Sequence, residues 1–225
     1  MQNLGLIRRF HQNDLLPISL PQKAISYQMY PEAFPESRFR FQAYRSRQHT
    51  SDNTQSVGLL KILQQEMAII ELHTYISAPI ERVFDLARSI DLHTNSTLQT
   101  GEQAIAGTTS GLIGLGEEVT WRARHFGVWQ TLSVRITEFE RPIHFADVML
   151  RGAFKKMEHH HCFQPSGDGT AMRDVFSFQS PLGILGRIVD ALFLKQYMKS
   201  FLIERNRVIK TAAESDCWKQ YVRDS

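Results

Sequence analysis

The sequence Glu-His-His-His-Cys at residues 158–162 brings together side chains that can exchange protons or bind metal ions. It lies on a segment whose apolar pattern predicts a β-strand, and side chains along a strand alternate between its two faces. His159 and His161 therefore point to one side, together with the apolar side chain of Met157. His160 points to the other side, so three adjacent histidines cannot converge on one metal ion within a regular strand.

Three kinds of role fit the pair of histidines. They can be polar groups of the core with hydrogen-bond partners, or they can orient a carbonyl or hydroxyl group of a ligand inside an apolar cavity. If a hairpin at 165–169 places Asp174 opposite His159, they can also form a zinc-type site or supply a general base for an aldol-type cyclisation or dehydration. His159, His161 and Asp174 are therefore the candidate catalytic residues. The prediction adopted includes no metal and no cofactor.

Apolar side chains on the neighbouring predicted strands and on a C-terminal helix are candidates for the wall of such a cavity. Trp121 is an example, because it lies on a strand face opposite Arg122 and Arg124. Asp147 and Asp174 are exceptions on otherwise apolar faces, where a carboxylate needs a partner or a solvated cavity. The predicted ligand-binding residues are Trp121, Phe145, Met149, Met157, His159, His161, Phe176, Leu192 and Met198.

The elements that must position these residues are strands for most of the chain. Residues 68–76 alternate apolar and polar and predict the first strand, and Pro79 then opens a short helix that is followed by a second short helix or turn. Further strands are predicted at 101–106, 116–126, 128–139, 142–150, 154–163 and 170–179, joined by short turns typical of antiparallel neighbours. One long helix is predicted over 180–214. This order indicates an α+β fold in which a curved antiparallel sheet of about seven strands wraps the terminal helix.

Composition limits the class of protein. The chain is 42% hydrophobic and 22% charged, which is typical of a soluble globular protein. Because no apolar run approaches about 20 residues, no transmembrane segment is predicted. The N-terminus lacks the apolar core of a secretory signal, and only Cys162 and Cys217 are present, so we predict a cytoplasmic protein without a disulfide framework.

The net charge of +3 is carried entirely by residues 1–66, and residues 67–225 are electrically balanced. A nucleic-acid-binding surface needs clustered basic residues in the folded part of the chain, so no nucleic-acid partner is predicted. The sequence does not determine an oligomeric state.

Residues 1–66 have no steady hydrophobic period and are predicted to be a poorly ordered N-terminal extension. Arginine and aromatic residues alternate within 38–47, which leaves open a contact with RNA or a membrane. Met67 stands directly before the first strand, so a natural start at that residue is a further hypothesis. We predict one folded domain over 67–214 and a C-terminal tail over 215–225.

Three short sequences carry a resemblance to a known family: ISAPIERVFD at 76–85, GTAMRD at 169–174 and SPLGILG at 180–186. With the order of elements, they resemble the START-like (SRPBCC) superfamily, in particular its polyketide cyclase/dehydrase and lipid-transport branch. The resemblance covers residues 68–213. It implies the helix-grip fold and a hydrophobic cavity between sheet and long helix that holds lipids, polyketides, quinones or similar molecules. Because no one catalytic set runs through this superfamily, no catalytic residue is carried over.

The predicted function is the binding of a hydrophobic small molecule, as a carrier or sensor, in the START-like domain. One alternative is an enzyme similar to polyketide cyclases and dehydratases that uses His and Asp acid–base chemistry in the same cavity. The other is a domain that recognises a protein partner, which a filled core without a cavity would favour.

Overall fold

A seven-stranded antiparallel sheet dominates the computed structural model, which describes residues 67–179 and 193–222. Its spatial order is β1-β7-β6-β5-β4-β3-β2, so neighbours from β2 to β7 are joined consecutively and β1 pairs with β7. The strands are β1 (Ala68–Ile76), β2 (Gln103–Gly107), β3 (Glu118–His125), β4 (Val128–Glu140), β5 (His144–Arg151), β6 (Lys156–Ser166) and β7 (Gly169–Gln179). The predicted seven-stranded sheet is confirmed, and the strand ends differ from the predicted ones by up to three residues.

The helices lie where the sequence pattern indicates. Helices α1 (Ile80–Ala87) and α2 (Ile90–Ser96) follow β1, as predicted. Of the long helix predicted over 180–214, the structure describes α3 (Lys195–Ala213); residues 180–192 lie outside the described part. The predicted tail contains a short 3-10 helix, Asp216–Gln220. Among the described residues, no helix has the length and apolar character needed to cross a membrane.

Local chemistry fixes the ends of these elements. The Ser89 hydroxyl accepts a hydrogen bond from the Leu92 amide at 3.3 Å and so caps α2. The β6–β7 hairpin turns through two residues, with Gly167 at φ +58°, a backbone conformation that glycine adopts without a steric penalty. Where β2 meets β3, a side chain at Gly107 would come within 2.1 Å of the Glu118 carbonyl oxygen, so only glycine fits.

The core lies between the concave face of the sheet and the helices. Phe84 of α1 is fully buried and makes edge-on contacts with three other phenylalanine rings at 5.3–5.4 Å, namely Phe139, Phe145 and Phe163. Helix α3 buries Leu202 and Ile209 against the same core. Because α1 and α3 both pack over the sheet, side chains from β5, β6 and α3 meet at its centre.

Candidate functional site

A cavity of about 120 Å³ lies between the sheet and α3. Its wall is mostly apolar and also includes two groups of polar side chains. Predicted ligand-binding residues that line it are Trp121, Phe145, Met157, His159, His161, Phe176 and Met198. Met149 does not line it: it packs near the end of β5, where a side chain at Gly152 would meet its sulfur at 2.9 Å. Leu192 lies outside the described residues.

Strands β5 and β6 contribute the first polar group of the wall, the cavity floor: Asp147, His159 and His161, with Arg205 from α3. Asp147 is paired with His159 across the two strands. Nε2 of His161 lies 3.5 Å from Oδ2 of Asp147. As alternation along a strand requires, His159 and His161 share this face, and their ring centres are 3.8 Å apart.

Asp174 lies behind the two histidines and is completely buried. Its Oδ1 is 2.7 Å from Nδ1 of His161 and 3.1 Å from Nε2 of His159. The pairing of Asp174 with His159 that the sequence left open does not occur: Asp174 lies opposite His161, two residues further along β6. The two-residue turn at Gly167 pairs Ser166 with Gly169 and thereby sets this register. Asp174 reaches both histidines but does not line the cavity.

Helix α3 completes the site with two adjacent residues. Asn206 donates a hydrogen bond from Nδ2 to Oδ2 of Asp174 at 2.7 Å. Arg205 is buried, and its Nη2 donates to the carbonyl oxygen of Ala87 at 2.8 Å. Its Nη1 lies 3.7 Å from Oδ1 of Asp174, beyond hydrogen-bond distance, and has no hydrogen-bond partner within the described part of the chain. Arg205 therefore lines the cavity with a guanidinium that has the charge of Asp174 nearby, and its buried Nη1 has no hydrogen-bond partner among the described residues.

The charge state of the floor follows from these contacts. Burial raises the pKa of Asp174, but the hydrogen bonds from His159 and His161 outweigh it and hold that pKa well below its usual range. Burial raises the pKa of Asp147 as well, but the hydrogen bond of His161 and the charge of Arg205 help to lower that pKa overall. Burial, together with His161, lowers the pKa of His159 to about 4. Asp174 is thus an acceptor, so neutral His159 donates Nε2–H to it and leaves Nδ1 as an acceptor.

A second polar pair lines the cavity away from the floor. Nε2 of His93 lies 3.2 Å from a carboxylate oxygen of Glu102, and the His93 ring stacks on Trp121 at 4.1 Å. Burial raises the pKa of Glu102, yet the charge and hydrogen bond of His93 lower it overall. The cavity wall therefore includes a second polar pair besides the floor.

The outer face of the sheet holds the remaining histidine of the 158–162 run. His160 bonds to Glu158 through Nε2 at 2.8 Å and lies 3.3 Å from His144 through Nδ1. It points away from the cavity, in agreement with strand alternation.

No protein-family model matches this sequence, and neither does any curated protein sequence. Solved structures do match. Protein TTHA0849 from Thermus thermophilus is 19% identical with a TM-score of 0.53, over 65% of this chain and 99% of its own. Major latex-like protein 151 from Panax ginseng is 13% identical with a TM-score of 0.51, over 66% of this chain and 99% of its own. These likenesses show that the chain has the helix-grip fold, in which an antiparallel sheet packs against a C-terminal helix.

The di-domain ARO/CYC StfQ from the steffimycin biosynthetic pathway has the same helix-grip architecture. It is 12% identical with a TM-score of 0.55, and the match covers 69% of this chain and 53% of StfQ. At such identities the likeness concerns the fold, and the chemistry of the site depends on its own side chains.

Several residues of the helix-grip cavity were not among the predicted ligand-binding residues. Arg205 is the most informative of them, because it continues the side of α3 on which Met198 and Leu202 line the cavity. A cation on that side was the available signal, since buried charges need partners. The other lining residues not predicted include His93, Glu102, Phe154, Phe201 and Leu202, and Asp147 was noted only as a carboxylate on an apolar face.

Proposed function

We propose that this protein binds a compact, largely apolar small molecule that carries an oxygen acceptor, in the cavity between the sheet and α3. The observation that carries the proposal is Nη1 of Arg205, a buried charged donor without a hydrogen-bond partner in the described residues, beside a mostly apolar cavity. Leaving such a donor unpaired costs about 1–3 kcal/mol or more. A ligand carbonyl, carboxylate or hydroxyl oxygen would remove this cost.

The volume limits the size of the molecule. A cavity of about 120 Å³ is comparable with the engineered apolar cavity of about 150 Å³ that holds benzene. Among the lipids, polyketides and quinones expected for this fold, the ring and carbonyl of a quinone or polyketide fit this volume best. Burial of about 150 Å² of ring surface contributes roughly 4 kcal/mol before ordering costs.

Benzaldehyde and toluene test the role of Arg205, because they share one ring and differ in the oxygen acceptor. Arg205→Met is expected to weaken benzaldehyde binding by about tenfold or more, since a hydrogen bond from a charged group contributes about 1.5–3 kcal/mol. Toluene binding should change little. Titrations followed by ligand-observed NMR would measure both affinities.

Arg207→Met is the matched control, because Arg207 lies on the same helix, pairs with Glu204 and does not line the cavity. It should bind both molecules as the unsubstituted protein does. An equal loss of toluene and benzaldehyde in Arg205→Met, or no binding of either molecule to the unsubstituted protein, would contradict the proposal.

A second candidate function is the turnover of a bound carbonyl compound, and the hydrogen-bonded couple of His159 and Asp174 favours it. Nδ1 of His159 would take a proton from the carbon next to the carbonyl, and the electron pair of the broken C–H bond would pass to the carbonyl oxygen to form an enolate. Asp174 would stabilise the imidazolium that forms, and return of a proton from Nδ1 to the carbon would complete the exchange. The fold likeness to StfQ, whose name includes ARO/CYC, adds support.

Hydrogen–deuterium exchange of cyclohexanone in deuterium oxide, followed by NMR, measures such a proton transfer. His159→Ala is expected to slow the protein-dependent exchange by about a hundredfold while binding persists. His160→Ala, which alters the outer face, should leave exchange unchanged. If binding and exchange fell equally in His159→Ala, the catalytic role of this residue would be wrong.

A filled core would favour a domain that recognises a protein partner. Because a cavity of about 120 Å³ is present, this hypothesis has less support than the binding of a small molecule.

Cys162 and Cys217 are both free thiols, which supports the cytoplasmic location inferred from the sequence.

A further inference from the structure

Three side chains on the adjacent strands β5 and β6 direct possible metal ligands to one point of the cavity floor. One ligand atom each from Asp147, His159 and His161 lies within 4.8 Å of the others. Oδ2 of Asp147 and Nε2 of His161 are 3.5 Å apart, close to the separation of about 3.4 Å between two ligands that share one tetrahedral zinc ion. We propose that these three residues bind one divalent transition-metal ion. The proposal does not depend on the organic ligand proposed above.

Asp174 supplies the outer support that such a site needs. Metal-bound histidines usually donate their second ring N–H to a carboxylate, which fixes the ring and its tautomer. Asp174 contacts Nδ1 of His161 at 2.7 Å, so Nε2 of the same ring is the atom directed at Asp147. Asp174 also contacts Nε2 of His159 at 3.1 Å, which leaves Nδ1 of the His159 ring available to a metal ion. One buried carboxylate thus orients both histidines without using the nitrogens that would bind the metal.

This arrangement revises the role considered for Asp174 from the sequence. That residue was the candidate third ligand, but it holds the far sides of the rings, and Asp147 occupies the third position. Asn206 donates to the other oxygen of Asp174 at 2.7 Å and fixes the orientation of its carboxylate. The site therefore has three ligands from two strands and an outer shell from β7 and α3.

The donor set indicates the class of metal. Two imidazoles and one carboxylate suit Zn²⁺, Co²⁺ or Fe²⁺, and three protein ligands leave at least one coordination position for a bound molecule. All three residues line the cavity, so that position is open to a ligand there.

Arg205 lines the same floor, and its positive charge lowers the affinity of the site for a cation. A metal ion would also occupy the nitrogen through which His159 acts as a base, so the two roles exclude each other.

The outer face of the sheet provides an internal comparison. Glu138, His144 and His160 also have ligand atoms within 4.8 Å of one another, but Glu138 is exposed. His144 and His160 face each other at 3.3 Å through one nitrogen each, and the second nitrogen of His160 bonds to Glu158. The inner group differs in having its rings oriented by a buried carboxylate, so the inner group is the one we assign.

Titration of the chelator-treated full-length protein with Co²⁺, followed by visible absorption and equilibrium dialysis, tests the site. We expect one Co²⁺ per chain, displaced by Zn²⁺. Asp174→Asn should weaken Co²⁺ binding about 10- to 100-fold, and Asp147→Asn and His161→Gln, which remove ligands, should weaken it more. His160→Gln should bind as the unsubstituted protein does. Circular dichroism would establish that each variant is folded.

Three results would overturn the assignment: no stoichiometric Co²⁺ in the unsubstituted protein, unchanged binding in folded Asp147→Asn, or loss of binding in His160→Gln. Arg205→Met separates this proposal from the one on the organic ligand. That variant should bind benzaldehyde less tightly and should still bind Co²⁺, so either proposal can fail without the other.

Discussion

Asp174→Ala is expected to lower the free energy of unfolding by about 3–5 kcal/mol, the range found when one partner of a buried ionic cluster is removed. The reason is the number of groups that depend on this carboxylate. His159, His161 and Asn206 all contact it at 2.7–3.1 Å, and Arg205 is its nearest buried cation. All four are buried, so water cannot replace the lost acceptor without opening the core. Urea unfolding followed by circular dichroism would measure the change.

Asp174→Asn is the matched control, because it keeps the size of the side chain and removes only its charge. The Oδ1 atom of Asn206 is buried without a hydrogen-bond partner in the described residues, so rotation of that amide would let it accept from the new side chain. We therefore expect Asp174→Asn to lose less than half as much stability as Asp174→Ala. Equal losses in the two variants would contradict this expectation, because they would mean that the negative charge of Asp174, which both variants remove, accounts for the whole effect.

Phe84→Ala is expected to lower the free energy of unfolding by about 3–5 kcal/mol as well, through the cavity that it leaves. Phe84 is fully buried at the junction of α1 with β4, β5 and β6, where it contacts Phe139, Phe145 and Phe163 edge-on. Phe145 also stacks on His161 at 4.2 Å, so a shift of Phe145 would disturb the cavity floor. Urea unfolding measures the stability, and the affinity for benzaldehyde shows whether the cavity floor is disturbed.

Phe84→Leu serves as the control for the core, since it keeps most of the apolar volume and should cost less than about 1.5 kcal/mol. A loss below about 1 kcal/mol in Phe84→Ala would contradict the packing argument, because it would require the surrounding rings to close the space freely.

The variants together separate three roles that the same floor can have. Arg205→Met tests whether the protein binds the oxygen atom of a ligand. His159→Ala tests whether His159 transfers a proton, and Asp147→Asn tests whether the floor binds a metal ion. Asp174 supports all three, because it orients both histidines from behind the cavity. Its substitution is therefore a test of the scaffold of the site rather than of any one function.

The sequence by itself determined the kinds of element and the faces of their side chains. Alternation along β6 is sufficient to place His159 and His161 on one face and His160 on the other, because the period of a strand is two residues. The succession of strands with short turns, two short helices and a terminal helix was likewise enough to predict the curved sheet. These features depend on local geometry, which neighbouring residues in the chain fix.

Only the tertiary structure decided which residues meet. The face of Asp174 was predictable, but its register with His161 depends on the turn at Gly167, and a change in turn length moves the pairing along the strand. Asp147 enters the site because β5 pairs with β6, and Arg205 and Asn206 enter it because α3 packs across the sheet with that side turned inward. The volume of the cavity is a balance of many such contacts. Long-range packing sets these distances, and the hydrophobic periodicity of the sequence carries no information about them.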